Sequence, residues 1–307
     1  MSFLMFLKSI TNKWYTKIEL MAKCLSTLFI VQPSFLVRNL FLEASRKDKL
    51  MPPLTKLILI LLQISYVGPI TVLNFLATGI DPMIVLNNKG KTFPKQISEQ
   101  SWNEYAKKAQ EQWNLAQELG ITIINYQDID YPQRLLNLSN FPPIIYAKGN
   151  QNLLNQPKLT AVIGTREPES TIVKQGQRLT KYLVSRDHVI VAGLALGCDT
   201  VAHKTCIQNH GQTIAVLAHG LAQKIYPPEN SELAQEIIES GGLLLTTYPP
   251  MTKVAPFRLA ERDQWQSGLS DKVIVLETNE NSGTNITIKH ALKQKREVII
   301  LKNQINN

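Results

Sequence analysis

From about residue 158 the chain repeats one unit: a short, apolar, β-branched segment, then a segment with helical spacing. The strand-like segments are 160–164, 189–192, 213–217, 243–247, 272–277 and 298–301. They are largely apolar on successive residues, as strands covered on both faces should be. Helical spacing fills the gaps at 172–185, 199–209, 230–239, 259–267 and 284–294. Parallel neighbours need crossovers of about this length. The alternation therefore predicts a Rossmann-like, doubly wound α/β fold with a mostly parallel sheet.

The upstream region reads differently. Residues 54–76 are apolar and helix-like, broken at Val67-Gly68-Pro69, which suggests a small all-helical domain of the SAM or helix-hairpin-helix kind. Either that hairpin is a packing module or its second helix faces a phosphate. A further helix is expected over 102–119, closed by Gly120, then strands at 121–124 and 144–147. The expected division is a basic, apolar extension over 1–50, a helical domain over 51–105, and a linker helix with the α/β domain over 106–307.

Charge narrows the partners. The 307 residues carry a formal +9, which favours a polyanion. Residues 1–60 hold nine Lys or Arg against three Asp or Glu, +6, leaving only +3 for the rest. A nucleic-acid site in the α/β part must then be a local basic cluster. The 1–50 extension reads as an amphipathic basic helix or two, with membrane contact as a minor reading. Pro33 breaks its apolar run, so neither a spanning helix nor a signal peptide is expected. Three cysteines without C-x-x-C spacing and scattered histidines give no disulfide framework and no metal site. Cys198 and Cys206 read as small buried hydrophobes.

In a doubly wound sheet, ligands bind beyond the carboxyl ends of the strands. The loops expected there are Gly164-Thr165-Arg166, Gly193 through Asp199, His219-Gly220 and Asn281-Ser282-Gly283-Thr284. They supply backbone N–H groups, hydroxyls and an arginine, which suit phosphates. Lys253, Phe257, Arg258 and Arg262 add a basic run with one aromatic, suited to sequence-tolerant binding of single strands. Packing is the competing reading for Phe257, and salt bridges to Glu261 or Asp263 for Arg258 and Arg262. Asp199 reads as a helix cap that binds loop N–H groups, and His203 as a hydrogen-bonded core residue. No G-x-G-x-x-G or Walker A sequence is present, so a nucleotide cofactor is not expected.

Several ordered blocks carry a resemblance: Val162-Ile163-Gly164-Thr165-Arg166, Ala192-Gly193-Leu194-Ala195 through Ala202-His203, Gly211 through Leu221, Ile225-Tyr226-Pro227, Ser267-Gly268-Leu269-Ser270 and Ser282-Gly283-Thr284. Upstream, Asp130-Tyr131-Pro132 and Pro142-Pro143-x-x-Tyr146-x-Lys148-Gly149 belong to the same series. Together they resemble the DprA/Smf DNA-processing family. The resemblance implies a non-catalytic, cytoplasmic protein without cofactor. It would bind and protect single-stranded DNA, help to load a RecA-type recombinase in natural transformation, and form a homodimer. By motif, Arg166 and Arg262 take the family's DNA-groove arginines.

Departures accompany it. The family's Arg-Asn-Arg-Ile-Ile reads Arg262-Asp263-Gln264-Trp265-Gln266 here, a change of −2 in the expected groove. Trp265 either stacks on a base or is buried. With Asn307 following the last strand so soon, the chain is expected to be a divergent member without the winged-helix domain of many relatives. Three alternatives stay beside this reading. One is a nucleotide hydrolase like the lysine-decarboxylase-like proteins, whose catalytic Glu position holds Thr287 here. The others are a nucleotide-sensing module and a surface-anchored protein.

Overall fold

A computed structural model of the chain describes residues 50–278 and 283–301. Residues 1–49 of the expected 1–50 extension, with its membrane reading, and Ser282 lie outside the described residues. The chain divides between Leu50 and Met51, and the unit Met51–Asn307 carries every described element.

Four helices come first: α1 (Pro53–Leu61), α2 (Pro69–Leu76), α3 (Pro82–Asn87) and α4 (Glu99–Glu118). Proline stands in the first turn of α1, α2 and α3, where its fixed φ suits the helix and its missing N–H removes no bond. Ser98 caps α4 by accepting from the Ser101 N–H, which starts that helix three residues before the expected position 102. The strands and helices that follow are β1 (Thr122–Asn125), α5 (Gln133–Leu136), β2 (Ile144–Gly149), β3 (Leu159–Ile163), α6 (Ser170–Val184), β4 (Val189–Ala192), α7 (Cys198–Gln208), β5 (Thr213–Val216), α8 (Ser231–Glu239), β6 (Leu243–Thr246), α9 (Pro256–Leu269), β7 (Lys272–Val275), α10 (Thr284–Lys293) and β8 (Glu297–Ile300).

The strands form one sheet in the order β1-β2-β6-β5-β4-β3-β7-β8. From β6 to β8 every pairing is parallel, while β1 and β2 extend the sheet antiparallel. The expected Rossmann-like, mostly parallel sheet is therefore what the chain forms. Its order reverses between β3 and β7, which marks the switch point.

Successive strand residues go to opposite faces. Leu159, Ala161, Val191, Val216 and Val273 pack under α9 with Trp265 and Leu269. Val162, Ile190 and Ile274 pack under α6 and α7 with Ile172, Leu183, Ala202 and Cys206. Over β1 and β2 the second face is covered by the first helices: Leu57, Ile60, Trp102 and Trp113 share a core with Ile123, Ile144 and Tyr146. Two blocks of the upstream series act here as structure. The Tyr131 hydroxyl donates to the Pro142 carbonyl, and the Tyr146 hydroxyl accepts from Gln112 Nε2. Trp265 is buried in the sheet core, so its stacking alternative falls away. Among the described residues no helix is long and apolar enough to cross a membrane.

Candidate functional site

The loop after β3 is clamped on both sides. Thr165 N–H donates to the Glu277 carbonyl beyond β7 at 3.0 Å, and Thr165 O accepts from the Cys198 N–H that opens α7 at 3.0 Å. A Cβ on Gly164 would lie 2.5 Å from Cys198 Sγ. Gly197 has φ +76°, and a Cβ there would meet the Arg166 carbonyl at 2.4 Å. Two glycines thus let two loops touch through their backbones. The result projects Arg166 into solvent from a fixed base.

The loop after β4 folds around a carboxylate. Asp199 Oδ2 accepts the N–H of Gly193 at 2.9 Å and of Ala195 at 3.2 Å. This is the binding of loop N–H groups expected of it. Asn230 Nδ2 donates to the Leu194 carbonyl at 2.9 Å, holding Leu194 at φ +61°.

Beneath that loop lies Arg262 from α9, only 4% exposed. Its Nη1 donates to the carbonyls of Gly193 and of Val216, the latter at 2.7 Å, and its Nε pairs with Asp263 Oδ1 at 3.1 Å. A Cβ on Gly193 would fall 1.9 Å from Arg262 Nη1, so only glycine lets the guanidinium reach the backbone. Burial pushes the Asp199 carboxyl up to about 6, against the pull of Arg262 and the two loop N–H groups.

Two buried histidines are held neutral. Thr213 Oγ1 donates to the Ile190 carbonyl at 2.9 Å, so it accepts from His203 Nδ1 at 2.7 Å. Burial, with Arg262 nearby, pushes His203 down to about 3, which fits the expected core residue. His219 Nδ1 donates to the Gly220 carbonyl at 3.0 Å, and its Nε2 accepts from the Tyr226 N–H at 3.3 Å. Burial lowers its pKa as well. His219 thereby fixes the segment that presents Tyr226 and Pro227, which are joined by a cis bond. Burial pushes both the Cys198 and Cys206 thiols up to about 12, so neither is a ready nucleophile.

These pieces enclose a cleft of about 360 Å³, counting its open mouth. Arg166 stands on one side, with Gly193, Ala195 and Leu196 from the β4 loop. Tyr226 and Pro227 close another side, and Leu259 and Arg262 of α9 form the third. It is a cationic pocket with apolar walls, at the carboxyl ends of β3, β4 and β5.

Three expected site residues, Arg166, Gly193 and Arg262, meet in this cleft. Gly164 and Thr165 underlie it as backbone. At the head of α9, Phe257 is 63% exposed and Lys253 is exposed. The Arg258 guanidinium lies 4.7 Å from the Phe257 ring centroid and 5.7 Å from that of Tyr248, and its Nη1 donates to Lys253 O at 2.7 Å. Glu261 pairs with the Tyr248 hydroxyl at 2.9 Å rather than with either arginine. Pro256 sets the first turn of α9, three residues before the expected start at 259. Gly283 and Thr284 open α10 after β7 and are not among the residues lining the cleft.

Leu196 and His219 fall in loops that the sequence places at the strand ends, whereas it assigns no site role to Tyr226, Pro227 and Leu259, which line the pocket, or to Asn230, which shapes it. For Tyr226 and Pro227 the Ile225-Tyr226-Pro227 block is the visible signal. Among the described residues no His, Cys, Asp or Glu cluster could hold a metal ion.

A mostly parallel sheet with a cationic pocket at its carboxyl ends defines a Rossmann-like α/β protein. Residues 122–307 match the family model of DNA recombination-mediator protein A, and the chain belongs to that family. It is 38% identical over 181 residues to the DNA processing protein DprA of Bacillus subtilis, covering 59% of this chain and 60% of that protein's length. A solved structure concerned with the single-stranded DNA binding mode of DNA processing protein A from Helicobacter pylori superposes with a TM-score of 0.55 at 28% identity, over 61% of this chain and 83% of that one. The X-ray structure of DprA from Streptococcus pneumoniae shares the fold with a TM-score of 0.64 at 24% identity, over 84% of this chain and 89% of that one.

Proposed function

We propose that this protein binds single-stranded DNA in the strand-end cleft and serves DNA processing, protecting incoming strands and handing them to a RecA-type recombinase inside the cell. One observation carries the reading: Arg166 is exposed at the rim of a cationic cleft while the backbone of the preceding Thr165 is held between Glu277 and Cys198. A guanidinium so placed is a preorganised phosphate donor. Phe257, Arg258 and Lys253 continue the surface with a stacking ring and two cations. Arg262 contributes positive potential from the floor and holds the Gly193 loop in shape. Gly283 and Thr284, at the start of α10, give a second anion contact on the β7 side. Membership of the family and the single-stranded DNA bound by the Helicobacter pylori relative support the assignment.

The protein acts without catalysis and without a cofactor. The hydrolase alternative is disfavoured by Thr287, which is buried and bonds Asp263 where that reading needs a catalytic glutamate. The α/β part over 106–307 carries the site, and the helical part over 51–105 serves as its packing partner. A homodimer is the proposed assembly, with exposed Leu292, Ile299 and Ile300 beside the β8 edge as the apolar surface available for it.

Fluorescence anisotropy with oligo-dT across a salt series tests the reading. Tight, salt-steep binding is expected, with Arg166→Ala weakening it and flattening the slope by about 0.7 per lost contact. Absence of binding by the wild type at low salt overturns it.

A further inference from the structure

We infer that the outer face of α6 is a second nucleic-acid surface, which takes the phosphate backbone of the same single strand where it leaves the cleft past Arg166. The inference rests on the cleft being the DNA site.

Helix α6 buries Ile172, Gly176, Thr180 and Leu183 against the sheet. Its opposite face exposes Lys174, Arg178, Lys181 and Tyr182, and Arg186 follows just beyond the helix. The helix contains no acidic residue. Lys174, Arg178 and Lys181 make no ion pair with any described residue. The carboxylates near in sequence are Glu167 and Glu169 before the helix and Asp187 after it, and none of them pairs with these cations.

A merely solvated helix face ordinarily interleaves both signs. Helix α4 of this same chain does so, with Glu104–Lys108 and Lys107–Glu111 pairs. Helix α6 does not. It also exposes 56% of Tyr182 among its cations, with the Arg186 guanidinium 5.3 Å from the ring centroid. A run of free cations with an open aromatic is the arrangement that tracks a single strand, phosphates on the cations and a base on the ring.

Spacing and position fit the same ligand. Lys174, Arg178 and Tyr182 recur every four residues, so their cations and ring are set about 6 Å apart along the helix. That is close to the separation of neighbouring phosphates in an extended strand. The helix begins four residues after Arg166, so only a short loop separates its first turn from the rim.

The test uses the full chain with K174Q/R178Q/K181Q, Tyr182→Ala and, in parallel, Arg166→Ala. Oligo-dT of about 6 and about 20 nucleotides lies near the lower end and beyond the upper end of the usual single-strand site sizes. For the triple variant, binding of the short strand is expected to stay unchanged. Its salt slope on the long strand should fall by about 2, at about 0.7 per contact. Tyr182→Ala is expected to weaken long-strand binding about fivefold or more. An unchanged long-strand slope in the triple variant, while Arg166→Ala still loses binding, overturns the α6 surface and leaves the cleft reading intact; that face would then suit an acidic protein. Loss of long-strand binding in the triple variant but not in Arg166→Ala would overturn the cleft reading and, with it, the inference that α6 continues the cleft's strand. No binding by the wild type overturns both. Unchanged thermal unfolding of the variants shows that the fold is retained.

Discussion

Arg166 and Arg262 line the same cleft, and their surroundings make them different devices. Arg166 reaches into solvent next to Thr165, whose backbone is pinned by Glu277 and Cys198. Arg262 lies under the β4 loop, bound to two carbonyls and to Asp263, with Asp199 close enough to feel its charge. The rim arginine is available to a ligand, and the floor arginine is part of the fold. The same side chain is thus left open to solvent at one end of the pocket and serves architecture at the other. What separates them is the number of protein acceptors each can reach.

Substitutions sharpen that contrast. The largest effect is expected at the floor. Arg262→Ala leaves two carbonyls without their donor and Asp263 without its ion-pair partner, and should cost about 3–5 kcal/mol, read by chemical denaturation. If Arg262→Ala unfolds like the wild type yet loses DNA, the contrast breaks and Arg262 acts on the strand directly.

The next effect is a pH dependence at the same floor. The Asp199 carboxyl ionises near 3.8 when unfolded and near 6 when folded. Between those values the folded state holds the proton more tightly. The stability from this group is therefore fully present below about pH 3.8 and is lost as pH rises through 6. Relative to Asp199→Asn, the wild type should lose roughly 2–3 kcal/mol from pH 4 to pH 7. A flat difference would mean that Arg262 keeps Asp199 ionised throughout.

On the rim the signs of the two assays should invert. Phe257→Ala is expected to cost about 1–3 kcal/mol of single-strand binding. Its stability should stay near the wild-type value, because the ring is largely exposed. Arg166→Ala should change unfolding by no more than about 0.5 kcal/mol while it weakens DNA binding. A destabilised Arg166→Ala would place that residue with the floor rather than the rim.

Much of the fold was legible in the residues. Runs such as Ala161-Val162-Ile163 and Val189-Ile190-Val191 are apolar on consecutive positions because both faces of a central strand are covered, and their spacing by helical segments fixed parallel pairing. Helix starts were less legible. Ser98 and Pro256 begin their helices three residues early because caps and a proline in the first turn act without any apolar periodicity. The roles of the basic block were least legible. Nothing in the string Arg262-Asp263-Gln264-Trp265 says that Arg262 and Trp265 both turn inward, one to carbonyls and one to the sheet.

The sequence by itself determined the alternation, the strand-end loops with their glycines, and the family, because these depend on local pattern and ordered short blocks. Only the tertiary structure decided which cations face a ligand. That depends on acceptors brought from distant positions: Val216 and Gly193 for Arg262, Glu277 and Cys198 for the base of Arg166. A charge is buried where the fold offers it partners and left to solvent where it does not.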